Sequence, residues 1–133
     1  MNKMTQYEAK TKNILVLAYI GDAVQTLYVR RRIVENNDYK AGKLNAISQK
    51  FVSAKGQSRA YDSIKEKFTE QEYHIANTAR NTQTKNIAKN SDIETYKKAT
   101  SLEAVFGYLY LSEEKERLEE LLDMSYKVIE NEN

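Results

Sequence analysis

The scarcity of turn-forming residues constrains this chain most strongly. It has no proline and only four glycines in 133 residues. Because the many tight turns of a β-sandwich or β-barrel depend on such residues, a sheet-rich architecture is disfavoured. Apolar residues recur instead at three- and four-residue intervals, as in Leu44, Ile47, Phe51 and Ala54, which is typical of amphipathic helices. The sequence therefore predicts an all-α fold of five to seven helices, and its length predicts a single domain over residues 1–133.

The first predicted helix is unusually apolar. Asn13 can cap a helix that begins at Ile14 and continues to about Val34, before the polar cluster of residues 36–38. Arginines at positions 30–32 are expected to close this helix, where positive charge stabilises the helix dipole. The same arginines would also suit a phosphate-rich partner.

A glycine and several polar residues predict the later helix boundaries. Gly56 is expected to divide the second helical region in two. Thr69 and Glu72 have the spacing of a capping box, in which each side chain binds the other's backbone N–H. Residues 81–91 lack an apolar stripe and are predicted to form a polar, basic loop. Three further hydroxyl residues are expected to cap the helices that follow: Ser91, Thr100 and Ser112.

Each of the two most apolar segments contains one carboxylate. Asp22 follows the run 14–20, on a helix face expected to be buried, and Glu103 lies within the run 102–107. Because an unpaired buried carboxylate costs several kcal/mol, a partner is expected for each. A divalent cation between the two would be such a partner, and Mg²⁺ is commonly held by one or two protein carboxylates and several waters.

Both carboxylates also have structural interpretations. Asp22 could cap a helix that restarts after Gly21, and Glu103 could complete a capping box with Thr100. Gly21 and Gly107 lie beside or one turn from the carboxylates, where a missing side chain would let a substrate approach closely. Simple helix packing explains both glycines equally well.

Other catalytic chemistries lack the residues they need. The absence of cysteine excludes thiolate nucleophiles and zinc fingers, and the only histidine, His74, is expected at the surface or in a structural hydrogen bond. Nucleotide-binding loops and nucleophile elbows are also absent. If the chain is an enzyme, a metal ion must therefore supply the nucleophile.

The net charge of +2 conceals an uneven distribution. Residues 1–98 hold 18 Lys and Arg against 10 Asp and Glu, whereas residues 99–133 hold 3 against 9. The basic part includes Lys55 and, around the polar loop, Arg80, Lys85 and Lys89, which suit the phosphates of duplex RNA. A basic helix face that is merely solvated would have the same composition.

No segment predicts export or membrane insertion. The sequence has no window of about 18 apolar residues and no apolar leader at its amino terminus. We expect a cytoplasmic protein that is not embedded in a membrane.

Two segments resemble the signature motifs of the ribonuclease III family. Residues 17–24, Leu-Ala-Tyr-Ile-Gly-Asp-Ala-Val, resemble the family's signature helix, with Asp22 at its metal-binding aspartate. Residues 102–111 resemble its second acidic motif, with Glu103 at the metal-ligand position. The matches at residues 52–55, 80–81 and 89–90 are similar to the Mini-ribonuclease III branch, which consists of the catalytic domain alone. The resemblance extends from about residue 13 to residue 122.

The resemblance implies an all-helical endonuclease domain that dimerises through its signature helices. It would hydrolyse double-stranded RNA with Mg²⁺, or with Mn²⁺ in its place, and leave 5′-phosphates and short 3′ overhangs. Asp22 and Glu103 would be the catalytic metal ligands. The branch is associated with maturation of 23S ribosomal RNA ends in the bacterial cytoplasm, which implies a precursor stem as substrate and a large-subunit ribosomal protein as a further partner. The residues that would bind RNA are Arg80, Asn81, Lys85, Lys89 and Lys55.

Some positions depart from the family pattern. Leu15, Ala18 and Thr100 stand where full-length ribonuclease III has acidic residues, so only two carboxylates remain for the metal. Residues 78–83 and 88–90 also differ from the basic loop of the branch. The length leaves no room for the separate duplex-RNA-binding domain of full-length ribonuclease III, so the catalytic domain itself would have to hold the substrate.

Two other functions are compatible with these departures. The chain could be a non-catalytic helical module that binds RNA or assists ribosome assembly, having kept the fold and lost the chemistry. It could also be a helical dimerisation protein whose basic face is solvated.

Overall fold

The computed structural model describes residues 4–5, 8–9, 12–82 and 92–132, and from residue 14 onwards these form six α-helices and one short 3₁₀ helix. No β-strand occurs in these ranges, so the predicted all-α fold is confirmed. None of the described helices is long and apolar enough to cross a membrane. The elements are α1 (Ile14–Asn36), α2 (Ala41–Val52), α3 (Ala54–Ile64), the 3₁₀ helix (Lys65–Lys67), α4 (Glu70–Asn81), α5 (Ile93–Leu111) and α6 (Lys115–Glu130).

Helix α5 forms the centre of the core. It packs against α1, α3, α4 and α6, and Leu102, Val105 and Phe106 are fully buried. Residues 104–109 of α5 are all buried, which explains why this segment is apolar on every side instead of along one stripe. Helix α6 closes the core with an apolar face that includes Leu118 and Leu121.

Helices α1 and α5 cross at two glycines. A Cβ atom on Gly21 would lie 1.7 Å from the carbonyl oxygen of Glu103, and a Cβ atom on Gly107 would lie 1.9 Å from the carbonyl oxygen of Leu17. Neither position can hold a side chain, because each glycine lies directly against the backbone of the other helix. Helix packing therefore explains both glycines, and the two contacts together fix how α1 lies on α5.

Helix α1 continues without a break through the signature segment. The side chain of Asn13 caps it, accepting a hydrogen bond from the backbone N–H of Leu15 at 2.9 Å, and the helix ends at Asn36 as the polar cluster predicts. Because the helix is continuous, Asp22 is not an N-cap, and that structural interpretation is wrong.

The arginine cluster does not close α1, which continues for another turn beyond it. Arg31 forms an ion pair with Glu35 within the helix. The Nη1 atom of Arg32 is 2.8 Å from Oδ1 of Asp123 on α6, and its guanidinium lies over the Tyr126 ring, 4.3 Å from the centroid. Arg32 therefore joins the end of α1 to α6.

The second helical region divides at Ser53 and not at Gly56. The Ser53 hydroxyl accepts a hydrogen bond from the backbone N–H of Gly56, which caps α3. Gly56 lies within α3, where a Cβ atom would come 2.1 Å from the carbonyl oxygen of Lys50. The glycine therefore allows the tight turn between α2 and α3 without itself ending a helix.

The predicted capping box of α4 is confirmed. Thr69 and Glu72 each accept the other's backbone N–H, at 3.1 and 2.9 Å. Ile75, Ala76 and Ala79 are buried on the inward face of α4, whereas Tyr73 is exposed.

Helix α5 begins earlier than its apolar run. Asp92 caps it, with a carboxylate that accepts hydrogen bonds from the backbone N–H groups of Glu94 and Thr95, while the predicted cap Ser91 lies outside the described residues. Thr100 is inside the helix, and its hydroxyl donates to the carbonyl of Tyr96. The predicted cap at Thr100 is therefore wrong, and Glu103 does not complete a capping box.

The predicted cap of the last helix is also wrong. The Ser112 hydroxyl donates to the carbonyl oxygen of Tyr108 and so satisfies the end of α5. Helix α6 begins three residues later, at Lys115, with Glu114 at its N-cap position. A serine between two helices can satisfy either end, and the sequence spacing does not distinguish the two.

Replacing Gly21 by alanine tests the helix crossing. The added Cβ must separate α1 from α5, so we expect Gly21→Ala to lower the free energy of unfolding by roughly 3 kcal/mol or more. Gly42→Ala is the matched control, because Gly42 lies in the first turn of α2 and a methyl group there would have no atom within 4 Å. It should raise the stability by up to about 1 kcal/mol. Urea unfolding followed by circular dichroism measures both, and equal stabilities would contradict the crossing.

Candidate active site

The helix crossing brings Asp22 and Glu103 together. Asp22 directly follows Gly21 on α1, and Glu103 is the residue of α5 whose backbone carbonyl faces Gly21. The two side chains are in hydrogen-bonding contact. The pairing predicted from the two apolar segments is therefore present in the fold.

The two carboxylates differ in burial. Glu103 is only partly accessible, whereas Asp22 is exposed, and so is the neighbouring Ala23. The prediction that Asp22 is buried is therefore wrong. The physical reason is that α5 covers the side of α1 that carries Leu17 and Gly21, while none of the described helices covers the side at Ala23.

Burial is the main cause that raises the pKa of Glu103 to about 8. The hydrogen bond with Asp22 and the repulsion by the Asp22 charge raise the pKa further, and a hydrogen bond from Gln57 opposes them. In the metal-free protein the raised pKa therefore favours the protonated form of Glu103 at neutral pH. A cation between the two carboxylates would replace that proton, which makes this pair a candidate functional site.

The donor set fits a hard, largely hydrated divalent cation. Asp22 and Glu103 offer carboxylate oxygens, the ligands preferred by Mg²⁺, which usually retains several waters. The described ranges contain no group of three or more His, Cys, Asp or Glu residues that could hold a metal ion. His74 is exposed on α4, as expected for a surface histidine. The site therefore suits Mg²⁺ or Mn²⁺ and not the closed four-ligand cage of a structural zinc.

Two buried glutamines extend the site into the protein. Nε2 of Gln57, on α3, donates to Oε2 of Glu103 at 3.2 Å and to Oε1 of Gln25 at 2.8 Å. Nε2 of Gln25, on α1, donates to the carbonyl oxygen of Phe51 at 3.4 Å. The residues are 3% and 2% exposed. Neither glutamine was predicted from the sequence, although an uncharged polar residue three positions after Asp22 in an apolar helix was a possible signal.

The structure describes three of the five residues predicted to bind RNA. Lys55 is exposed in the first turn of α3, and Arg80 and Asn81 end α4. Nη2 of Arg80 is 2.6 Å from Oε2 of Glu94 in the first turn of α5. This ion pair joins the helices on either side of residues 83–91. The other two predicted residues, Lys85 and Lys89, lie outside the described residues, and RNA binding by all five stays a prediction.

Comparison with known proteins shows similarity to the ribonuclease III family over most of the chain. The family model described as "Ribonuclease III domain" matches residues 15–114. Mini-ribonuclease 3 of Staphylococcus aureus is 40% identical over 131 residues, which covers 97% of this chain and 98% of the relative. Mini-ribonuclease 3 of Streptococcus pneumoniae is 40% identical over 120 residues, covering 89% and 94%.

A solved structure shares the fold. The X-ray structure of a Fusobacterium nucleatum protein superposes with a TM-score of 0.80 at 30% sequence identity. The superposition covers 88% of this chain and 93% of that one.

The raised pKa of Glu103 predicts how stability depends on pH in the metal-free protein. The folded state binds this proton more tightly than the unfolded chain, whose pKa is 4.5. The resulting stabilisation is fully present below pH 4.5 and is lost as the pH rises to about 8. Glu103→Gln removes this loss, so relative to the wild type its melting temperature should be higher at pH 8.5 than at pH 5.

Melting curves between pH 5 and pH 9 in the presence of a chelator measure this difference. Glu119→Gln, on the exposed surface of α6, controls for the loss of one carboxylate. A gap between wild type and Glu103→Gln that stays constant across this range would contradict the raised pKa.

Proposed function

This chain belongs to the ribonuclease III family, in its Mini-ribonuclease 3 branch, and we propose that it cleaves double-stranded RNA with a Mg²⁺ ion held by Asp22 and Glu103. As a member of the family it is an endoribonuclease, a hydrolase that acts on double-stranded RNA. One observation supports the metal and its ligands above all, the contact between the two carboxylates where α1 crosses α5 at Gly21.

The two carboxylates lie on different sides of the site, Asp22 toward solvent and Glu103 toward the interior. Asp22 is exposed and faces the side from which an RNA phosphate can approach, whereas Glu103 is held from within by Gln57. A bound Mg²⁺ would lower the pKa of a coordinated water and offset the charge that builds up on the phosphate. Together the two carboxylates supply the negative charge that retains the cation beside a polyanionic substrate. Attack of water on phosphorus with departure of the ribose 3′ oxygen leaves a 5′-phosphate.

The ligand assignment predicts that neutral substitutions abolish cleavage. Asp22→Asn and Glu103→Gln keep the side-chain shapes but remove the charges that hold the cation, so we expect each to lower the rate by at least roughly 100-fold. The measurement is cleavage of a perfect RNA duplex with Mg²⁺, with Mn²⁺, and with a chelator. Both variants should remain folded and should bind duplex at low salt. Glu119→Gln is the matched control and should cut at the wild-type rate.

Three outcomes would contradict this function. Cleavage by Asp22→Asn at the wild-type rate would refute the ligand assignment. Tight duplex binding by the wild type without cleavage would indicate the non-catalytic RNA-binding module. Failure of the wild type to bind duplex even at low salt, where phosphate contacts are strongest, would leave a helical dimerisation protein.

The biological substrate is proposed from the resemblance to the Mini-ribonuclease III branch. We propose a stem of precursor 23S ribosomal RNA, cut in the cytoplasm during maturation of its ends, with a large-subunit ribosomal protein assisting. The basic segment 1–98 would supply the phosphate contacts. Among its residues we assign RNA binding to Lys55, Arg80, Asn81, Lys85 and Lys89.

We also propose that the enzyme is a homodimer. An apolar stripe runs along the outer side of α1, and we call it the α1 stripe; its residues are Val16, Ile20, Ala23, Leu27 and Val34. Leu27 is 71% exposed, and Tyr19 beside the stripe is 81% exposed. Exposed apolar residues aligned in this way mark a candidate contact surface, which exposed arginines at positions 30 and 31 interrupt between Leu27 and Val34. A second α1 related by a two-fold axis would cover it with the same residues.

A charge placed in the α1 stripe should dissociate the dimer. Leu27→Asp buries a carboxylate in the proposed interface without touching the core, so we expect a monomer at concentrations where the wild type is a dimer. Light scattering after size-exclusion chromatography measures the mass. Tyr73→Asp, at a similarly exposed position of α4, should leave the mass unchanged. A wild-type monomer, or a dimer of Leu27→Asp, would refute this interface.

A further inference from the structure

We propose that Gln57 is a positioning residue for Glu103, and that Gln25 and the Phe51 carbonyl fix the orientation of the Gln57 amide. The inference rests on the proposed function, because it takes Glu103 as a ligand of the cation. It concerns how a single carboxylate is held in place in a site that has lost several of the acidic residues of full-length ribonuclease III.

The chain of hydrogen bonds starts at the protein backbone. The carbonyl of Phe51 lies in the last turn of α2, where helical carbonyls lack a following N–H in their own helix. A carbonyl can only accept, so Gln25 must present its Nε2 to Phe51 and its Oε1 to Gln57. Gln57 must then present Nε2 to Gln25. Each contact therefore permits only one orientation of the next amide group.

The last contact in this chain places a donor on Glu103. Nε2 of Gln57 carries two N–H groups, of which one is used by Gln25, at 2.8 Å, and the other points to Oε2 of Glu103, at 3.2 Å. Oε2 is thereby held from the interior of the protein. The remaining oxygen, Oε1, is not used by Gln57, which leaves it for the cation.

A neutral amide suits this task better than a basic side chain. Lysine or arginine at position 57 would neutralise Glu103 and compete with the cation for its charge. The amide donates a hydrogen bond to the ionised carboxylate and adds no charge of its own, so it orients the ligand without weakening its attraction for the metal. Because both glutamines are almost fully buried, solvent does not replace these contacts.

A purely structural role of the two glutamines would have different consequences. If the two glutamines only join α1, α2, α3 and α5, their loss should lower stability and leave the chemistry of the folded protein unchanged. If Gln57 positions Glu103, its loss should reduce cation binding and the maximal rate while the protein remains folded. Cation affinity in the absence of RNA, and the separation of kcat from KM, distinguish the two roles.

Methionine substitutions test the inference, because methionine has the length of glutamine and no donor. We expect Gln57→Met to weaken Mn²⁺ binding by the RNA-free protein, measured calorimetrically, and to lower kcat roughly 10- to 100-fold with an unchanged KM for duplex RNA. Gln25→Met leaves the contact between Gln57 and Glu103 in place but frees the amide to rotate. It should shift both quantities in the same direction by a smaller factor.

Gln71→Met is the matched control. Nε2 of Gln71, on α4, is buried and has no hydrogen-bond partner among the described residues, so removing it sacrifices no contact. This variant should keep the Mn²⁺ affinity and kcat of the wild type. Melting temperatures of all three variants separate loss of fold from loss of positioning.

The outcomes separate this inference from the proposed function. Wild-type kcat and Mn²⁺ affinity in folded Gln57→Met would overturn the positioning role alone. A wild type that neither binds Mn²⁺ nor cuts RNA would overturn the proposed function, and the positioning role with it. Should Gln57→Met fail to fold, Gln25→Met decides: reduced Mn²⁺ affinity and kcat in the folded variant support the inference, and wild-type values overturn it.

Discussion

The fold and the site both depend on the contact between two backbones at Gly21 and Gly107. Each glycine lies against a carbonyl of the opposite helix, so the backbones of α1 and α5 are in direct contact. This contact places Asp22 beside Glu103. Because successive residues of a helix are 100° apart, sliding α5 by one residue would turn Glu103 away from Asp22. The crossing therefore sets the geometry of the chemistry as well as the packing of the core.

The two carboxylates at this crossing have different environments. Glu103 is held on the protein side by neutral amides and has a raised pKa, whereas Asp22 is open to solvent. In the proposed function, Glu103 is therefore fixed before a cation binds, and Asp22 is able to adjust to the cation and the RNA. The partial desolvation that raises the pKa of Glu103 also strengthens its attraction for a cation.

Local patterns predicted the interactions that are themselves local. The cap at Asn13 and the capping box of Thr69 and Glu72 depend on residues two or three positions apart, and both are present. The boundary errors arose where one residue could serve two helices, as Ser112 does. The burial of Asp22 was predicted from its spacing to apolar residues along the helix. Such spacing shows which residues share a helix face, but it does not show whether another helix covers that face. Gln25 and Gln57 were not predicted because their contact joins separate helices: a polar residue in an apolar helix marks Gln25 as unusual, but nothing near it in sequence indicates its partner.

Helix α1 serves the core, the site and the outer surface at once. Within one turn, Gly21 faces α5, Asp22 faces the site, and Ala23 belongs to the exposed stripe. A substitution in this turn must therefore be compatible with the helix contact, the site and the exposed stripe, and few substitutions are. The sequence of this turn should therefore change slowly in evolution. Exposed positions of α6 such as Glu119, which take part in none of these contacts, should accumulate substitutions freely.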